Sequence, residues 1–234
     1  MNRSALIRSA LGVGVLMVTI LALTACGSGG GGGSEQEQAK AQEQAEARPL
    51  PEDPKALSPG EYHSTQFEPS FSFKVGTGWR TSSYFPQISD RLGITRGEEG
   101  DAPTLVFRAL QEVFEYTKSD TLEVEKAPKD MVGWLRHHPY LETEKPGSAT
   151  VGGVEGVRFD YTVSGDAPFD LIRLFRYADG TDGGAKKGSK YRAIVLEDVE
   201  GKTVTIGLGS PTIEFDDLLP EAEKVLKSVE WGGS

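Results

Sequence analysis

The stretch VRFDYTVS at 157–164 decides the fold class, because Val157, Phe159, Tyr161 and Val163 alternate with Arg158, Asp160, Thr162 and Ser164. A period of two sends the first set to one face of a strand and the second to the other, so the segment predicts a half-buried β-strand. Toward the C-terminus, residues 169–177, 191–196 and 203–208 carry the same β-branched and aromatic character. Glu200-Gly201 between the last two predicts a short turn that makes them antiparallel neighbours. Toward the N-terminus, residues 104–110 and 92–95 are further strand candidates. Phe71, Phe73 and Val75 alternate with Ser72 and Lys74 until Gly76 and Gly78 end the run.

Two segments follow a helical period instead. Met131, Trp134, Leu135 and His138 fall at i, i+3, i+4 and i+7, and Pro139 stops the run. Leu218, Leu219, Ala222, Val225, Leu226 and Val229 make a single apolar stripe. Asp216 or Asp217 is placed to cap that second helix, Pro220 falls in its first turn, and Lys224 and Lys227 suit its negative end. Many strands with few helices and no internal repeat predict an α+β fold around an antiparallel sheet.

Ahead of these elements the chain changes character. Arg3 and Arg8 precede an apolar run at 11–23, interrupted only by Gly12, Gly14 and Thr19. As a helix that run spans roughly 20 Å against a hydrocarbon core of ~30 Å, which is short for a membrane span and right for the centre of a signal peptide. Leu23-Thr24-Ala25-Cys26 follows and resembles the lipobox of bacterial lipoproteins. The resemblance implies diacylglycerol on the Cys26 sulfur, whose two chains meet the need of stable anchoring, then cleavage between Ala25 and Cys26, which frees an amine that can be acylated as well. Residues 27–34, GSGGGGGS, read as flexible coil, and 35–47 as a solvated helix at best. Pro49, Pro51, Pro54 and Pro59 favour extended chain. The expected organisation is a signal peptide at 1–25, a lipidated tether at 26–61 with a reach of roughly 30–35 Å, and a globular domain at 62–234.

Without Arg3 and Arg8 the chain holds 23 basic residues against 35 acidic ones, a charge of −12. Such a surface repels polyphosphate and anionic headgroups, so no nucleic-acid partner is expected and attachment to a membrane falls to lipid. The single cysteine excludes an intramolecular disulfide.

No arrangement of residues reads as a catalytic, metal or cofactor site. Adjacent His137 and His138 point about 100° apart on a helix, so with Glu142 and Glu144 they do not converge on one ion; His138 is expected under the helix and His137 at its negative end. The segment DGTDGGAKKGS at 179–189 lacks the ligand spacing of a calcium loop, and its Gly188-Ser189 leads into a strand rather than a phosphate-loop helix. It reads as a mobile hairpin loop, and its Asp179 and Asp182, with His137, are the groups expected to touch a partner. Gly76 and Gly78 lack the third glycine of a dinucleotide fingerprint, and GLGS at 207–210 is not a nucleophile elbow. Trp79 and Trp134 belong to apolar patterns and are expected in the core.

FSFKVGTGW at 71–79 resembles the opening strand of PsbP-like domains, and WLRHHPYL at 134–141, VGGVEGVR at 151–158 and VLKSVEW at 225–231 are similar to segments of actinobacterial lipoproteins of that superfamily. The resemblance implies an α/β/α sandwich around a central antiparallel sheet in a superfamily of binding and assembly factors without shared catalytic residues. The expected function is a non-catalytic lipoprotein domain that binds a protein partner or small ligand in the cell envelope. The alternatives are an envelope hydrolase built on carboxylates and a carrier of an apolar molecule.

Overall fold

The computed structural model describes residues 47–98, 100, 102–116 and 123–232. The chain runs through β1 (Arg48–Pro49), β2 (Gly60–His63), β3 (Phe71–Val75), β4 (Trp79–Thr81), β5 (Arg91–Arg96), β6 (Thr104–Arg108), β7 (Glu112–Phe114) and β8 (Val124–Lys126) to helix α1 (Met131–Arg136). It continues through β9 (Leu141–Thr143), β10 (Gly147–Val151), β11 (Val154–Val163), β12 (Leu171–Arg176), β13 (Asp182–Lys186), β14 (Ser189–Val199) and β15 (Lys202–Pro211). A 3₁₀ turn, Thr212–Glu214, leads into α2 (Phe215–Lys227), and β16 (Glu230–Trp231) closes the chain.

The fold is α+β. An antiparallel central sheet in the order β10-β11-β14-β15-β6-β5-β4 lies between two smaller sheets, β1-β2-β3-β16 and β13-β12-β7-β8, and β9 pairs with β11. Among the described residues, only β1 and β2 pair in parallel. The run Ala193 to Leu196 in β14 is apolar at every position because both of its faces are covered. Ile194 and Leu196 join one core with Leu92, Ile94, Leu105, Phe107, Ile206 and Leu208, over which lie α2 and β3. Ala193 and Val195 join a second core with Phe159, Tyr161 and Val163, over which lie α1 and β12. One helix and one small sheet therefore cover each face. In the first core Phe71 meets Phe73, Phe107 and Trp231 at ring-centroid distances of 5.4, 4.5 and 5.1 Å.

Glu200 (φ 53°) and Gly201 (φ 80°) make the turn between β14 and β15, with both residues in the left-handed region that a tight hairpin requires. The second helix starts one residue before Asp216. The 3₁₀ turn runs straight into it, so Glu214 at the cap position has helix-like φ and ψ and its side chain makes no capping bond. Asp216 and Asp217 lie in the first turn, where their charge meets the positive end, and Pro220 falls one turn later than its expected place.

Three expectations need correction. The folded domain begins before residue 62: Leu50 and Leu57 are 2% and 5% exposed in the first core, β1 pairs with β2, and His63 Nδ1 donates to the Ala47 carbonyl at 2.9 Å. The prolines hold this segment extended, and extended chain is what an added strand needs. The 179–189 segment is an ordered turn followed by strand β13, not a mobile loop. Its glycines serve close packing: a Cβ on Gly183 would sit 2.3 Å from the Tyr177 hydroxyl, and one on Gly184 2.1 Å from the Ile172 carbonyl oxygen. Asp160, on the polar face of β11, is buried rather than solvated. Arg192 on the neighbouring strand donates to it twice, at 2.6 and 3.0 Å, and Lys190 lies 3.5 Å away.

Removing a buried carboxylate gripped in this two-bond fashion leaves Arg192 with Glu223, at 3.9 Å, as its remaining ionic partner and its two best hydrogen bonds unmade. Asp160→Ala is expected to cost about 3 kcal/mol, a fall of roughly 6–12 °C in melting temperature. Replacing Asp160 and Arg192 together with apolar residues should cost clearly less, which a calorimetric double-mutant cycle reads directly.

Candidate functional site: a cleft at one end of the central sheet

Register places Arg91, Arg108, Thr205 and Val195 side by side across β5, β6, β15 and β14, on the face that carries the second core. Two like charges directly opposite one another repel. Tyr177 answers this from the covering sheet: the Arg91 guanidinium lies 4.4 Å over its ring, and Arg108 Nε donates to its hydroxyl at 2.9 Å. Arg91 is 2% exposed, and its remaining donors reach Asp179 Oδ2 at 2.9 Å, Thr181 Oγ1 at 2.7 Å and the Pro86 carbonyl at 3.4 Å. Burial alone would raise the Asp179 carboxyl, but hydrogen bonds from Thr181 and the guanidinium beside it bring it below the ordinary value.

One residue earlier, Asp90 sits where the chain turns into β5. Its backbone carbonyl accepts from the Ala109 N–H at 2.9 Å, which fastens the turn to the end of β6. Its side chain is buried, with Oδ2 accepting from the Ala178 N–H at 2.8 Å and Oδ1 without any hydrogen-bond partner. Desolvation raises the Asp90 carboxyl, and the Ala178 N–H and neighbouring Arg91 offset that only in part. The two aspartates are thus driven in opposite directions, because the guanidinium spends its hydrogen bonds on Asp179.

Asp90 borders a cleft of about 460 Å³, within the usual size range of small-ligand sites. Thr205 borders it too, and its hydroxyl is a second buried polar atom without a partner. Ala109, Leu110, Ala127, Pro128 and Met131 form an apolar wall. Glu68 and Lys202, joined at 3.1 Å, and the exposed Lys129 supply charge at its more open parts. A smaller cavity of about 270 Å³ shares Asp90 and Gln111 with the first and reaches Arg176, Tyr177 and Gly180.

The residues singled out from sequence lie elsewhere or are otherwise engaged. Asp179 is taken up by Arg91 and Thr181, and Asp182 by Arg176 at 2.7 Å and Arg173 at 3.5 Å. His137 occupies the C-cap of α1, where its backbone N–H and Nδ1 both donate to the Gly133 carbonyl, at 2.9 and 2.7 Å. None of the three borders the large cleft. His138 packs beneath the helix end, 5% exposed, against Tyr116, Trp134 and Tyr140. Its Nδ1 accepts from the Tyr140 N–H at 3.2 Å, and burial lowers its pKa to about 4. Among the described residues no three His, Cys, Asp or Glu side chains converge as a metal site, and no helix is long and apolar enough to cross a membrane. Ala25 and Cys26 lie outside the described residues. Sequence reasoning missed Asp90, Arg91 and Thr205. The one signal was an acidic-basic pair at 90–91 set directly against the apolar start of a strand.

No family model matches the chain, and no curated protein does. Among solved structures the chain is similar to LpqN, described as involved in cell envelope biogenesis of Mycobacterium tuberculosis, at 14% identity and a TM-score of 0.39 over 76% of this chain and 88% of that one. It is also similar to the cyanobacterial PsbP (CyanoP) of Synechocystis sp. PCC 6803, at 12% identity and a TM-score of 0.38 over 75% of this chain and 94% of that one.

Two titrations follow from this geometry. A His that is neutral in the fold down to about 4 but protonates near 6.5 when unfolded contributes stability above pH 6.5 and loses it as pH falls toward 4. That loss is about 3 kcal/mol at most, so urea denaturation of His138→Gln is expected to show a shallower decline over the same window. For Asp90, raised in the fold, the penalty exists while the carboxyl is ionised and disappears as pH falls. Asp90→Asn keeps an acceptor for the Ala178 N–H, and should melt above the parent at pH 7 with the advantage closing toward pH 4.

Proposed function

We propose that the chain is an exported lipoprotein, held on the membrane by lipid on Cys26, whose folded domain binds a protein partner or small ligand of the cell envelope without catalysing a reaction. The place rests on one observation, the lipobox-like Leu23-Thr24-Ala25-Cys26 after an apolar run too short to span a bilayer. The role rests on the cleft at the sheet end. It is lined by Asp90 and Thr205, each with a buried unpaired oxygen, and by an apolar wall, and no nucleophile within it is hydrogen-bonded to a base.

A second reading draws on a specific observation: Glu68 and Asp90, two carboxylates, border the same cleft, and the Asp90 carboxyl is raised by burial. Two carboxylates lining one cleft, one of them raised, are a pairing a hydrolase uses. Against it, Glu68 is held by Lys202. Turnover of a glycoside or ester by the purified protein, abolished by both Glu68→Gln and Asp90→Asn, would favour this reading over binding.

For the leading reading, cells fed labelled palmitate should yield labelled protein in the membrane fraction. Cys26→Ala should carry no label and leave that fraction; label that persists would reject the anchor. Native mass spectrometry of protein released from its own envelope should show a retained small molecule, lost when Ala127→Phe fills the cleft.

A further inference from the structure

The cleft holds an electrostatic debt that its own residues leave standing. Asp90 is 3% exposed, yet no guanidinium or ammonium of the described residues lies in salt-bridge range of its carboxylate. Arg91, next in sequence, turns its donors to Asp179, Thr181 and Pro86 instead. Asp90 and Thr205 both border the cleft, and each carries a buried side-chain oxygen, Oδ1 and Oγ1, that lacks a partner; the two oxygens do not bond to one another. A group that completes this site must donate to the Asp90 carboxylate, and it can either donate to or accept from the Thr205 hydroxyl. A hydroxyl or water answers the hydrogen bonds, and a cation answers the desolvated charge of the ionised carboxylate as well. An ammonium has three donors and a positive charge in one atom.

Two further features select among cations. The volume of about 460 Å³ far exceeds one water's share of roughly 30 Å³, so the site admits a molecule rather than an ion. Its apolar wall of Ala109, Leu110, Ala127 and Met131 suits a hydrocarbon body behind the charged head. The chain as a whole carries −10, and a field of that sign concentrates cations around it.

We propose that the cleft takes a small aliphatic primary amine, its ammonium group turned to the Asp90 and Thr205 side and its hydrocarbon lying along the Ala109–Leu110 and Met131 wall. This inference rests on the reading of the cleft as the domain's ligand site. Lys202 and Lys129 stand at the more exposed parts of the cleft, so the ligand's far end is expected to be neutral or anionic rather than a second cation.

The test titrates the full chain in detergent, followed by amide resonances, with three probes that share a four-carbon body: n-butylammonium, butyrate and 1-butanol. Butylammonium is expected to shift the Ala178 and Thr205 amides saturably, with affinity at least tenfold weaker in Asp90→Asn and several-fold weaker in Thr205→Val. Butyrate and butanol should leave both amides in place. If butyrate or butanol shifts them as strongly as the amine, the cleft binds ligands but the amine assignment is overturned. If none of the three shifts them, the amine assignment and the reading of the cleft as a ligand site fall together. Equal amine affinity in the parent and Asp90→Asn, in a variant that melts cooperatively, also overturns the proposal.

Discussion

Everything in this domain depends on one strand being dry on both sides. In β14, Ala193 and Val195 enter one core while Ile194 and Leu196 enter the other. A strand with a single wet face would need polar residues at every second position. This one has none over four residues, so the chain must supply cover twice, and the two helices and two small sheets are that cover. The β1-β2-β3-β16 sheet and α2 close one face; the β13-β12-β7-β8 sheet and α1 close the other.

Cover on the second face stops short at one end of the sheet. There the row of Arg91, Arg108 and Thr205 meets the covering layer through Tyr177 and Asp179, with Phe175 the apolar ring under Arg108. Burying a guanidinium is costly unless its donors are met, and Arg91 meets them with Asp179, Thr181 and Pro86. The carboxylate beside it in sequence is left without a cation. The unusual state of Asp90 is therefore a by-product of how Arg91 is satisfied, and the cleft lies where that imbalance surfaces.

The sequence displayed the parts of this arrangement that repeat and hid those that do not. Alternation made β3 and β11 visible, runs of β-branched and apolar residues made β5, β6, β12, β14 and β15 visible, and a 3.6-residue stripe made both helices visible. Strand β13 was hidden because its Gly183 and Gly184, which permit contact with Tyr177 and Ile172, read locally as loop residues. The true start of the domain was hidden because Leu50 and Leu57 are isolated among prolines and make no period. Asp160 looked solvated since only the fold sets Arg192 across from it. The cleft was least visible of all: its walls come from residues 68, 89–90, 109–111, 127–131 and 202–205, and no local pattern links them.

The tryptophans are divided unequally between the two cores. Trp79 lies within the first and Trp231 packs against it, whereas Trp134 alone belongs to the second, stacked near Tyr116 and Phe175. Each layer therefore carries its own intrinsic fluorophore. Emission from a chain that retains only Trp134 reports on the layer that contains α1, and emission from one that retains only Trp79 reports on the layer beneath α2. Whether the two sides of the sheet loosen together or in sequence is thereby written into the native spectrum, without any added dye.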